Sequence, residues 1–357
     1  MLFSKKILTL ATACTLFASI AQAAVVESPT GDVGAKEISV LLPGYAKDNG
    51  FMEAGYRGYQ RIAQEVTENV KCVSSVSATS DREVLTQELR KMAQENPKLI
   101  IAHGGQCNGP VATVSKEFPQ IQFVVIQGNV KGANISSYKV DQEQSAFLAG
   151  ALAGYMTKTN KVGHISGAWP KPGLQARAAF YDGLMLANKK ATFYSHFSGN
   201  LDSNEINAKA AEGEIAAGCD VIYTMLNGGR FGVNDVIANT KGKVKEIGNV
   251  IDWTQVSPIF IGSAVADSSV AIVNAAKDYQ AGSLKNSISV IGLEDENVVR
   301  LAVSEKISKK IVKKLAALKE DVLSGKVKIN HEYTGMEFDP ATGKFVDQNE
   351  KNLRKKK

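Results

Sequence analysis

Short apolar runs alternate along this chain with longer stretches of helical spacing. Ile38-Ser-Val-Leu-Leu42 predicts a strand, and from Glu53 onward Tyr59, Ile62, Ala63 and Val66 recur at the spacing of a helix face. Val70-Lys-Cys-Val-Ser74 predicts a second strand, 81–95 a helix, Leu99-Ile-Ile-Ala102 a third strand, and Ile121 to Gln127 a fourth. Further strands are predicted near 162–166, 192–197, 220–225 and 247–251, with helices between, and then at Ile259-Phe-Ile-Gly262 and Ile288-Ser-Val-Ile291. Such alternation predicts parallel sheets with helices on both faces. Tyr138 to Gly167 mark a joint, where the chain leaves one α/β unit, runs through an apolar helix and enters a second. Few strand–helix units follow residue 252, so the chain is expected to cross back between the units before it ends. Phe338 to Phe345 reads as strand, turn, strand, with Asp339-Pro340 and Thr342-Gly343 as the turn.

The first 23 residues add an address. Lys5 and Lys6 precede a largely apolar run from Ile7 to Ile20, and Ala21-Gln22-Ala23 is a cleavage signal. This is the layout of a secretory signal peptide, and the run is short of the roughly 20 residues a membrane span needs. Cys14 stands one position too far from Leu10 for a lipid-attachment signal. A soluble periplasmic protein cleaved after Ala23 is expected. Removing 23 of the 357 residues leaves 334, a length that suggests about two domains. The formal charge then falls from +6 to +4, and the tail 350–357, with five positive charges and one negative, carries all of it. The basic pI is thus a property of the tail and no sign of nucleic-acid binding. That tail reads as a solvated terminus, with contact to anionic lipid as the alternative.

Cys72, Cys107 and Cys219 show no metal-ligand spacing. An oxidising compartment permits one disulfide, for which Cys72 and Cys107 are the pair to consider; otherwise all three are small buried hydrophobes.

Ligands of open parallel sheets bind beyond the carboxyl ends of the strands. That rule selects the loops 43–51, 103–108 and Gly128, and in the second half 167–170, 198–202, 226–230 and 252–253. They carry two aromatics, Phe51 and Trp169, suited to sandwich a flat ring. They also carry Asp48, Gln106, Asn227 and Asp252, whose carboxylates and amides would orient it, and Gly228, which permits close backbone approach. Plainer readings stand beside these: Phe51 as core, Asp48 as a helix N-cap, Asp252 paired with a surface lysine. Trp169, between Ala168 and Pro170, suits a cleft better than a core. His103 lies at a strand end, where it meets either a ligand or a backbone carbonyl, and His164 lies inside a strand. The sequence has no nucleophile elbow, phosphate loop, dinucleotide fingerprint or zinc-protease motif. No enzyme activity, cofactor or metal is expected.

At these residues the chain resembles the basic membrane protein family of ABC-transporter substrate-binding proteins, exported type I periplasmic binding proteins of which many bind purine nucleosides or bases. The family's D-x-S-F-N segment is similar to Asp48-Asn-Gly-Phe51-Met. Its E-x-S-F-L-A-G segment and following M-T-K-T-x-K-V-G are matched from Glu143 to Gly150 and from Met156 to Gly163, with one extra residue before the phenylalanine. Its G-G-x-G-x-G loop resembles 227–232, its I-G-V-D-x-D-Q segment resembles 247–253, and its late G-L-x-D-x-G segment resembles 292–297. The resemblance implies base stacking by Phe51 and a sugar contact by Asp252. It also shows departures: Ala266 stands where nucleoside binders have a lysine, the helix near 176–180 is altered, and Asn249, Val250 and Trp253 replace the usual neighbours of the aspartate.

The expected fold is α/β, two Rossmann-like lobes with parallel sheets joined by a three-crossing hinge, as in type I periplasmic binding proteins. Lobe one is expected over 24–138 plus 257–285, lobe two over 141–252 plus 287–335, and a C-terminal hairpin and basic tail over 336–357. The expected function is periplasmic capture of a purine nucleoside, nucleobase or similar flat heterocycle between the lobes, by a monomer that hands it to an ABC permease. Two other roles stay open: a ligand sensor feeding a receptor, and a periplasmic nucleoside hydrolase. The missing N-terminal helix-turn-helix and the export signal exclude a cytoplasmic repressor.

Overall fold

The computed structural model describes residues 24–76 and 81–347. The predicted signal peptide and the basic tail 350–357 lie outside the described residues. In chain order the first half holds β1 (Val25–Glu27), β2 (Ile38–Leu42), α1 (Phe51–Glu65), β3 (Val70–Ser74), α2 (Arg82–Gln94), β4 (Leu99–His103), α3 (Asn108–Glu117), β5 (Gln122–Ile126) and β6 (Ile135–Val140). The second half begins with α4 (Gln142–Met156), β7 (Lys161–Ser166), α5 (Lys171–Ala187), β8 (Thr192–Phe197), α6 (Asn204–Ala216), β9 (Val221–Met225), α7 (Arg230–Asn239), β10 (Lys245–Val250) and β11 (Phe260–Ala266). It closes with α8 (Ser268–Gln280), β12 (Ile288–Ile291), β13 (Val299–Val303), α9 (Lys309–Leu323), β14 (Glu337–Asp339) and β15 (Lys344–Val346).

Two sheets result. The first runs β1-β3-β2-β4-β5-β6-β12 and the second β13-β11-β10-β9-β7-β8. Within these two sheets all described strand pairs are parallel except β1 with β3 and β11 with β13, which close edges of the sheets. Every residue of β2, β3, β4 and β9 is buried, as expected of central strands covered on both faces. On α1 the buried positions Ala54, Gly55, Gly58, Tyr59 and Ile62 form one stripe. By contrast α4 is buried over most of its circumference, because it packs between α5 and the second sheet. Its Gly150 and the Gly183 of α5 let the two backbones approach: a Cβ on either would stand 1.9 Å from a carbonyl oxygen of the other helix.

Three crossings join the lobes. The chain passes from β6 into α4 at Asp141, from β11 into α8 at Asp267, and from β12 to β13 through 292–298. Two expected boundaries fail here. The strand at 260–266, assigned from sequence to lobe one, lies in the second sheet, parallel to β10 with Ile247 opposite Gly262. The strand at 288–291, assigned to lobe two, lies in the first sheet, parallel to β6 with Ile288 opposite Ser137. Both are short apolar runs beside a crossing, and pairing partners rather than local pattern decide which sheet takes them.

Cys72, Cys107 and Cys219 are free and buried. Cys72 and Cys107 belong to different core clusters on the first lobe, so no disulfide joins them. The expected C-terminal hairpin is present as β14 and β15, with Phe338 against Phe345 and Tyr194.

Candidate functional site

The loop after β2 brings Asp48 to the start of α1. Its Oδ1 accepts from the backbone N–H of Gly50 at 2.8 Å and of Glu53 at 3.0 Å, and its Oδ2 from that of Met52 at 3.1 Å. This is capping of a helix N-terminus, worth about 1 kcal/mol. Asp48 also reaches the other lobe: the Nδ2 of Asn227, in the loop after β9, donates to its Oδ2 at 3.0 Å. Burial pushes the Asp48 carboxyl up from its usual value, the three backbone donors pull it down, and nearby Asp202 adds to the upward push. The net direction is up.

Phe51 is the first residue of α1, and its ring stacks on His103 at a centroid distance of 4.0 Å and an angle of 20°. His103 ends β4 and is fully buried, with Nε2 at 2.9 Å from the hydroxyl of Ser268. Ser268 is the first residue of α8, directly after the second crossing. Burial lowers the His103 pKa to about 3, so the ring behind Phe51 is neutral at physiological pH. Gly55 lies so close that a Cβ would stand 2.6 Å from Nδ1 of His103. Gln106 follows in a short helical turn, with its side-chain amide against Gly104, whose φ of 115° suits glycine.

In the second lobe, Asn227 and Gly228 sit at the tip of a loop fixed from beneath by Arg230. This side chain is turned inward and fully buried. It donates to the carbonyl of Leu226 at 3.0 Å, to Thr224 and Asn249, and pairs with Glu246 at 3.4 Å. Its guanidinium also lies 4.6 Å from the centre of the Trp253 ring. Burial raises the Glu246 carboxyl to about 7 and lowers Arg230, against the pull of each on the other. A Cβ on Gly228 would meet Asp202 of its own lobe at 3.7 Å and the Asp48 carbonyl oxygen of the first lobe at 3.9 Å, both ordinary contacts.

Asp252 follows β10. Its Oδ1 accepts from the backbone N–H of Thr254 at 3.0 Å and from the Thr254 hydroxyl at 2.5 Å, and its Oδ2 lies 3.9 Å from Arg300 on β13. The partner is thus an arginine of the adjoining strand edge and not a surface lysine. Trp169 stands in the loop after β7, 41% exposed, stacked on Phe197 at 5.5 Å.

The structure therefore brings Asp48, Asn227 and Gly228 into one contact between lobes, with Phe51 at the next turn of chain. It gives Phe51 and Trp169 separate ring partners, His103 and Phe197. Sequence reasoning missed His103 as the backing of Phe51, Arg230 as the anchor of the 226–230 loop, and Arg300 beside Asp252. A lone arginine in the apolar run Val299-Arg-Leu-Ala-Val303 was the available signal for Arg300. Among the described residues no cluster suited to a metal ion is present, and no helix is long and apolar enough to cross a membrane.

Residues 35–333 match the sequence pattern of a family described as ABC transporter substrate-binding protein PnrA-like. Basic membrane protein B of Borrelia garinii subsp. bavariensis is 25% identical, covering 83% of this chain and 88% of its own length. The CD4+ T-cell-stimulating antigen of Listeria innocua serovar 6a is 22% identical, covering 84% and 89%. Among solved structures, an ABC transporter solute-binding protein from Aeropyrum pernix K1 shares 18% identity over 82% of this chain and 92% of that one, with a TM-score of 0.72. That likeness is one of fold.

Proposed function

Because the chain belongs to the PnrA-like family of ABC-transporter substrate-binding proteins, its task is to bind a solute and not to transform it, and we propose that the solute is a purine nucleoside, a nucleobase or a similarly flat heterocycle. The observation that carries this reading is the Phe51–His103 stack. A neutral, buried imidazole fixes the phenyl ring from behind, so the ring is a rigid platform whose orientation costs little entropy on binding. Stacking is tolerant of ring identity, because every base presents a π-face. Asp252 supplies polarity: with Oδ1 committed to Thr254, Oδ2 beside Arg300 is the acceptor for a ring N–H or a sugar hydroxyl. Trp169, half-exposed beyond β7, covers the solute from lobe two, with Gln106 at the rim of lobe one. The protein works in the periplasm after cleavage behind Ala23, as a monomer, with an ABC permease of the inner membrane as its partner.

A thermal-shift screen with nucleobases, nucleosides, sugars and amino acids tests the ligand class. A ligand that binds only the native form raises stability by RT ln(1 + [L]/Kd). At least one purine base or nucleoside is expected to raise the midpoint. A response to free sugars or amino acids alone would overturn the aromatic reading.

A further inference from the structure

We propose that Asp48 and Asn227 form a latch that holds the two lobes together, rather than two separate contacts to the solute. This rests on the reading of the chain as a solute-capturing protein. An ionised carboxylate offers about four acceptor positions. At Asp48 three are taken by the N–H groups of Gly50, Met52 and Glu53, all within lobe one. The fourth takes the Asn227 amide across the cleft at 3.0 Å. None is left for a ring or sugar donor.

The surroundings are shaped for this contact. Gly50 faces Asn227 so closely that a Cβ would stand 2.1 Å from its Oδ1. Gly228 lies beside Asp202, with the Asp48 carbonyl also within van der Waals reach of its position. With no side chain on Gly50, the loop before α1 reaches the Asn227 side chain and backbone directly. Both partners are also held in place before they meet. Asp48 is pinned to the N-terminus of α1. The Asn227 N–H donates to the Leu201 carbonyl at 3.1 Å, its own carbonyl accepts from the Arg230 N–H at 3.1 Å, and Arg230 is buried beneath. A bond between two fixed groups loses little entropy when it forms. Its free energy goes into the equilibrium between open and closed lobes, and apparent affinity scales with the fraction that is closed.

The test measures that equilibrium directly. Nitroxide labels are placed at Tyr45→Cys in lobe one and Ile206→Cys in lobe two, which are 63% and 43% exposed. The chain after Ala23 is used, and its Cys72, Cys107 and Cys219 are buried, with thiols pushed up by burial, so they stay unlabelled. Pulsed electron–electron distance measurements on the otherwise unchanged protein are expected to show a dominant short distance. Asn227→Ala and Gly50→Ala, on opposite lobes, are each expected to move about half or more of that population to longer distances. Asn227→Asp, which sets a carboxylate against Asp48 with Asp202 close by, moves more. In the double variant Asp48→Asn with Asn227→Asp, amide and carboxylate exchange places and the short distance returns, which a loss of folding would not allow. Unchanged distances in Asn227→Ala and Gly50→Ala would overturn the latch. That result would leave the solute reading intact, since the thermal-shift screen on the unaltered protein decides it separately.

Discussion

Arg230→Ala would leave the Glu246 carboxylate fully buried without its cation. Breaking a buried ion pair from one side costs about 3–5 kcal/mol, and chemical denaturation should show a loss of that size. Replacing both partners by apolar residues of similar volume should cost far less, and equal losses in the single and double variants would mean that the pair itself contributes little. Asp252→Asn is expected to lower solute affinity by about 1.5–3 kcal/mol, the worth of a hydrogen bond to a charged group. Unaltered affinity in calorimetry would reduce Asp252 to a local cap for Thr254. At this scale the sequence was legible where a residue acts through its own type and neighbourhood: Asp48 and Phe51 just before a helix, an amide beside two glycines. It was silent where a role comes from a distant partner. Nothing near His103 announces Ser268, 165 residues away, and nothing near Asp252 announces Arg300.

The α4–α5 contact makes the sharpest prediction about elements. Gly150→Ala would push a methyl to 1.9 Å from the Phe180 carbonyl oxygen, and backbone atoms cannot swing aside as side chains do. A loss of at least about 1–3 kcal/mol is expected from overpacking, read as a lower denaturation midpoint. A midpoint equal to that of the unchanged protein would mean the helices separate at no cost. Periodicity located the central strands well, since β2, β3, β4 and β9 are short, mostly apolar runs of the kind a sheet covered on both faces takes up. It did not mark β6, nor β1 and β13, whose antiparallel partners are far away in sequence. Nor did it allot 260–266 and 288–291 to the right sheet, because the same short run fits either.

Among the described residues the two large sheets are tied by three crossings, and one crossing carries a largely buried acid pair. Asp141, at the entry to α4, is pushed up to about 7 by burial and by the carboxyl of Glu143, with Lys139 and His331 opposing. Glu143 pairs with Lys139 at 3.1 Å, and the Asp141 N–H donates to the Ile291 carbonyl of the third crossing at 2.8 Å. The folded value lies above the 3.8 of the unfolded chain, so between these values the native state keeps a proton that the unfolded state has lost. The stability this group contributes is present below about pH 4 and is lost as pH rises to about 7. Asp141→Asn should therefore gain on the unchanged protein across that window and run parallel to it above, in urea midpoints taken at a series of pH values. A constant difference at every pH would contradict the assignment.

The claim on which the account rests is that the lobes capture a flat ring on the Phe51 platform. Calorimetric titration of the unchanged protein and of Phe51→Ala, with the solute selected by thermal shift, tests it most directly. A binding free energy weaker by about 1–3 kcal/mol in the variant is the expected result, on the scale of base–aromatic stacking. Equal affinity in the two proteins would contradict it.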